Sequence, residues 1–146
     1  MHPRQRRWKS PSFPSSASKP TRAVVEGADG AERWLVARAL EDAGFDVATC
    51  DGPIEQSGPC PLVAGRGCSA LESADVVVNL LGLRKPLVQE IVQAVRAAAP
   101  EIGIVAEGSS YDTERLAALQ SDCVCAVVSP LASAQSVAAI ALQVAR

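Results

Sequence analysis

Asp75-Val76-Val77-Val78-Asn79-Leu80-Leu81-Gly82 is the stretch around which the chain is built. Three valines run from an Asp into an Asn with no polar residue between them. A strand with one wet face alternates apolar and polar residues; a strand covered on both faces has no need to. The run therefore reads as a buried strand. Helix-like stretches lie before and after it, which makes it the central strand of a parallel sheet. In open α/β sheets, ligands and chemistry collect beyond the carboxyl ends of the strands. Asn79 stands at that end, and an amide cannot do there what a carboxylate does.

The 146 residues suffice for one domain and a tail. The hydrophobic share of 48% is ample for a core, and the aromatic share of 3% means that Val, Leu, Ile and Ala build it. The formal charge of −2 conceals an asymmetry. Residues 1–22 carry six of the 14 Lys/Arg and none of the 16 acids, which leaves −8 on residues 23–146. So acidic a domain is a poor nucleic-acid binder. No apolar run reaches the roughly 18–20 residues that span a bilayer, so no membrane association is expected. The basic start is not followed by a hydrophobic segment, so it is not a secretory signal. The expected compartment is the cytoplasm, and the five cysteines are expected to be thiols. Residues 1–21, rich in Ser, Pro and basic side chains, read as a disordered tail, because they cannot bury enough apolar surface to offset their ordering entropy. The tail is either a basic arm that touches nucleic acid or an acidic surface, or a solvated tail, or the product of a start codon assigned too early.

From residue 22 the chain alternates strand and helix. Ala23-Val24-Val25-Glu26 is β1. Gly27-Ala28-Asp29-Gly30 is a turn, with Asp29 placed to cap the next helix. Residues 32–43, α1, set Leu35, Val36, Ala39, Leu40 and Ala43 on one broad face, and Gly44 ends it as a left-handed cap. Residues 45–50 are β2, with Val47 buried. Residues 51–69 hold Gly52, Pro53, Gly58, Pro59, Pro61, Gly65 and Gly67 without periodicity. A loop of that length in a compact domain is as a rule functional or mobile. It holds Cys60 and Cys68, and Cys50 stands just before it. Residues 69–74 add a short α2, and the valine run is β3. Residues 86–99 are α3, with Leu87, Val88, Ile91, Val92 and Val95 on one face and Pro86 in the first turn. Residues 102–106 are β4 and 111–119 are α4, capped by Ser110 or Asp112. Residues 123–128 are β5 and 133–145 are α5, whose face is Val137, Ile140, Ala141 and Val144. Such alternation implies right-handed crossovers and helices on both faces of a parallel sheet.

Over residues 22–146 the chain resembles a response-regulator receiver domain. The resemblance rests on Ala23-Val24-Val25-Glu26, on Ala43-Gly44-Phe45-Asp46-Val47, on Ala74-Asp75-Val76-Val77-Val78, on Pro100-Glu101-Ile102 before β4, and on Ser129-Pro130 after β5. Gly65-Arg66-Gly67-Cys68 before β3 is similar to a Cys/Gly insert of actinobacterial receiver-like proteins. The resemblance implies a flavodoxin-like three-layer α/β domain with a five-stranded parallel sheet in the order 2-1-3-4-5. It also implies a site. A working receiver has an acidic pair after β1 for Mg²⁺, an Asp after β3 that accepts phosphate, a Ser/Thr after β4 and a Lys before a Pro after β5, so that the metal and the Lys neutralise charge as phosphoryl moves. Carried onto this chain, the acidic pair falls on Glu26 and Gly27. The acceptor falls on Asn79 or Leu80, and the hydroxyl on Ala106 or Glu107, with Ser109 nearby. The Lys falls on Ser129, and only Pro130 fits. One acid holds Mg²⁺ poorly, and an amide cannot form an acyl phosphate. The expectation is a degenerate receiver, not an enzyme and without a cofactor, that acts through contact with an unidentified protein. A homodimer through the α4–β5–α5 face is one form of that contact.

Two other readings stay open. Gly27-Ala28-Asp29-Gly30-Ala31-Glu32-Arg33 resembles the glycine turn of extended short-chain dehydrogenases. Gly27, Gly30 and Asp51 would then hold NAD(P), Asp51 through the ribose hydroxyls. Against this, Arg33 replaces the third glycine, Tyr111 has Arg115 four residues on in place of Lys, and the chain stops before a substrate domain. The second alternative is a thiol pair or metal site at Cys50, Cys60 and Cys68, since a Gly/Pro loop offers cysteines no core to fill. Cys123 and Cys125 would share one strand face, where core filling is the simpler role. Asp75 is expected to face solvent, and Glu26 to be a solvated carboxylate. Trp34 is either half-buried or an exposed contact residue.

Overall fold

The computed structural model describes residues 13, 21–52, 60–109 and 124–145. The expected α4, most of the expected tail and residues 53–59 of the long loop lie outside the described residues. The elements run β1 (Arg22–Glu26), α1 (Gly30–Asp42), β2 (Asp46–Cys50), α2 (Ser69–Ser73), β3 (Val76–Asn79), α3 (Pro86–Ala98), β4 (Gly103–Glu107), β5 (Ala126–Val128) and α5 (Ala134–Val144). All strand pairs are parallel, in the order β2-β1-β3-β4-β5. This is the parallel sheet read from the alternation, in the flavodoxin-like order that the receiver resemblance implies.

Strand alternation splits the core in two. Ala23, Val25, Val76, Val78 and Val105 face α1 and α5. Val24, Val77, Ile104 and Ala106 face α2 and α3. β3 is buried throughout, so the valine run was a strand covered on both sides. Phe13 packs against the α2/α3 side, with the Arg22 guanidinium 5.1 Å from its ring centre.

The local signals acted as expected at α1. Asp29 Oδ1 accepts the N–H of Ala31 at 2.9 Å and of Glu32 at 3.1 Å, and Gly44, at φ 97°, follows the helix end. Other expectations fail where periodicity cannot see the neighbour. Leu35 and Leu87 are exposed, because α1 and α3 turn the adjacent Val36 and Val88 inward. Val47 is only half-buried, since β2 is an edge strand. Asp75 does not simply face solvent: its Oδ2 accepts the Arg22 N–H at 2.8 Å, pinning the start of β3 to β1. β5 begins at Ala126, so Cys125 precedes the strand and is exposed; its Sγ accepts the Ile104 N–H at 3.4 Å. Among the described residues, no helix is long and apolar enough to cross a membrane.

Candidate functional site

The parallel register sets Cys50, Glu26, Asn79, Ala106 and Val127 side by side across the carboxyl ends of β2, β1, β3, β4 and β5. Residues in such a row share a face, here the one that carries Val24, Val77 and Ile104 two residues earlier. Glu26 is therefore not the solvated carboxylate expected of a loop. It is 7% exposed, flanked by β2 and β3, and burial pushes its carboxyl up to about 7. Asn79 is 1% exposed. Its Nδ2 donates to Glu26 Oε1 at 3.5 Å, and its Oδ1 accepts the Leu81 N–H at 3.0 Å. The amide is thus used at both ends by the protein itself.

The other receiver positions lie at the same strand ends. Gly27 supplies only its backbone, with its N–H on Cys50 O at 3.0 Å. Leu80 is buried on the α1/α5 side, and Ala106 is fully buried. Ser129 and Pro130 are exposed, and Ser129 Oγ accepts the Leu131 N–H at 3.1 Å. Glu107, one residue beyond the row, turns toward α1. Partial burial and a hydrogen bond with Glu32 push its carboxyl up to about 7, against the pull of Lys85. Glu26 and Glu107 thus point to opposite sides of the sheet and cannot share one ion. Among the described residues no three His, Cys, Asp or Glu are grouped so as to hold a metal. The residues present do not fit the Mg²⁺ of a working receiver.

The dinucleotide residues do come together, but around a side chain. The Arg33 guanidinium donates to Gly27 O and pairs with Asp51 Oδ1 at 3.1 Å. A Cβ built at Gly30 would find Arg33 Nη2 at 3.6 Å. Arg33 therefore fills the space between the glycine turn and the acid, where a pyrophosphate would have to lie. These residues do not fit NAD(P) as they stand.

The three cysteines also meet. Cys50, Cys60 and Cys68 line one cavity of about 30 Å³ together with Glu26. Burial, reinforced by Glu26, pushes the Cys50 thiol up to about 12, and burial also raises Cys60. Both are protonated and poorly nucleophilic near neutral pH. Backbone N–H groups nevertheless point at the sulfurs: Gly52 donates to Cys50, and Val63 and Leu62 donate to Cys60.

Sequence reasoning missed the Glu32–Glu107 contact, the Arg33–Asp51 pair and the seat of Glu26 in the cysteine cavity. Only the bulk of Arg33 at a glycine position hinted at the second.

No protein-family model and no curated protein matches the chain. Solved structures do. A response regulator receiver domain protein from Clostridium thermocellum superposes with a TM-score of 0.62 at 14% identity, over 85% of this chain and 93% of that one. A chain described as a pilus assembly protein (cpaE), from Burkholderia thailandensis E264, gives 0.64 at 14% identity, over 85% and 97%. The chemotaxis protein CheY4 of Vibrio cholerae gives 0.59 at 18% identity, over 85% and 98%. The chain has the response-regulator receiver fold.

Proposed function

We propose that this chain is a pseudo-receiver: a signalling module of receiver fold that works through protein contact, takes no phosphate and has no cofactor of its own. The buried amide of Asn79 carries the reading. A phospho-acceptor must present a carboxylate to solvent and to a metal. Asn79 is 1% exposed and spends its side chain on Glu26 and the Leu81 backbone. The fold neighbours support the module class, and the contact surface follows from exposure. Leu131, 95% exposed, and Leu142, 56% exposed, lie before and on α5, on the face where we place a second copy or another protein partner. A reducing compartment, the cytoplasm, suits the four free cysteines among the described residues.

The test is incubation of the intact protein with acetyl phosphate and Mg²⁺, followed by mass spectrometry and hydroxylamine treatment. The expected result is no adduct. A phosphate released by hydroxylamine, the mark of an acyl phosphate, would overturn the proposal.

A further inference from the structure

Phe13 precedes β1 in the chain, yet its side chain is half-buried against the core on the α2/α3 side of the sheet. The Arg22 guanidinium lies 5.1 Å from its ring centre, within reach of a cation–π contact. Arg22 opens β1, and Asp46 opens β2 beside it in register. Both belong to the amino-terminal edge of the sheet, opposite the edge that carries Glu26 and Asn79. α2 covers little of this side, having five residues where α1 has 13. The phenyl ring supplies apolar cover there.

Two polar atoms at the same edge support a larger contact. Arg22 Nε and Asp46 Oδ2 are buried and have no hydrogen-bond partner among the described residues. Buried polar atoms are paired as a rule, because an unpaired one has lost its hydration for nothing. One of the two lacks an acceptor and the other a donor. The chain next to Phe13 can supply both. Ser15, Ser16, Ser18 and Lys19 carry donors, and the backbone carbonyls of the same stretch are acceptors. Charge favours the same occupant. Residues 1–22 carry six Lys/Arg and no acid, and residues 23–146 carry −8, so the arm is drawn to its own domain. Residues 14–20 tie the ring to β1, and a short tether sets an effective concentration on the order of millimolar. A second copy must compete with that.

We propose that the amino-terminal edge of the α2/α3 side is a docking surface whose occupant is the chain's own amino-terminal arm, anchored by Phe13 at Arg22 and Asp46. The arm is an intramolecular competitor: a protein partner that uses this side of the sheet displaces it first. The surface is separate from the exposed leucines at α5, and it stands whether or not the domain accepts phosphate.

The experiment is NMR on the full chain. The chain has two phenylalanines, and Phe45 is buried on the opposite, α1/α5 side, so the two rings are distinguishable. Nuclear Overhauser contacts should run from the Phe13 ring to the Arg22 side chain and to methyl groups of the α2/α3 side. In a mixture of isotope-labelled and unlabelled chains, these contacts should stay within one copy. Phe13→Ala should lower the thermal midpoint by several degrees and shift the amide resonances of Arg22, Asp46 and α2. Ring contacts limited to the sequence neighbours of Phe13, or an unchanged midpoint with shifts confined to those neighbours, overturn the docking. Contacts that cross between labelled and unlabelled chains give the surface to a second copy and overturn the choice of occupant.

Discussion

Gly103→Ala should be among the most costly single-methyl changes in this domain, and the cost can be reasoned from the backbone. Gly103 opens β4, and a Cβ built there falls against the carbonyl of Val144, with its carbon at 2.8 Å and Ala145 N at 3.3 Å. All of these atoms are main chain at the carboxyl end of α5. A flexible side chain could rotate away; a helix end cannot, and it must retreat by several tenths of an ångström. α5 is held on the sheet by buried Val137, Ala138 and Ala141, so the retreat loosens that contact too. Overpacking of this kind costs about 1–3 kcal/mol. The smaller entropy of an unfolded Ala chain returns about 0.4–1 kcal/mol. The net loss is about 1–2 kcal/mol, or a fall of about 4–8 °C in midpoint for a domain of this size. Thermal unfolding followed by circular dichroism measures it. Gly30→Ala is the control, because its new methyl meets only Arg33 Nη2, at 3.6 Å, and should change stability by no more than about 0.5 kcal/mol. If the two variants melt together at the wild-type temperature, the close approach of α5 to β4 is wrong.

Glu26→Gln should flatten the pH dependence of stability. The carboxyl sits at about 7 in the folded chain against 4.5 ordinarily. Between those values the unfolded chain releases the proton while the folded chain keeps it, so wild-type stability falls as pH rises from about 4.5 and levels off above about 7. The loss is on the order of 3 kcal/mol; denaturant melts of wild type and variant at pH 5 and pH 8 should converge at the acid end and separate at the alkaline end. Asn79→Asp places a second carboxyl where the amide now lies 3.5 Å from Glu26. Two buried carboxyls cannot both ionise there, so this change should cost about 3–5 kcal/mol at pH 8 and clearly less at pH 5, and a variant as stable as wild type at both values would count against the buried pair. Millimolar NAD⁺, NADH, NADP⁺ or NADPH should leave the thermal midpoint unmoved, because Arg33 bridges Gly27 and Asp51. A ligand at about 100 times its dissociation constant would add about 2.7 kcal/mol, and a rise of several degrees with any of the four would show that Arg33 yields.

Element type and order were legible in the residues themselves. The valine run of β3, the Asp29 cap and the Gly44 stop each act within a few positions of themselves, and strand–helix alternation restricts the connections to one handed, parallel arrangement. That residue 79 is an amide and residue 129 a serine is likewise a matter of identity and not of geometry. What stays out of reach is everything decided across the sheet. Leu35 and Leu87 fit their helical faces by spacing, yet α1 and α3 turn other residues inward. Glu26 looks like a loop acid beside Gly27. Only its neighbours Cys50 and Asn79, 24 and 53 positions away, make it a buried one.

The sequence by itself thus determined the layers and, through the receiver resemblance, the strand order. The tertiary structure alone decided that Arg33 fills the glycine turn, and that three cysteines and Glu26 share one cavity. The reason is physical. Periodicity records which side of an element must avoid water, and it acts locally. What stands opposite that side depends on register between strands and on the path of an aperiodic loop, and no local preference encodes either.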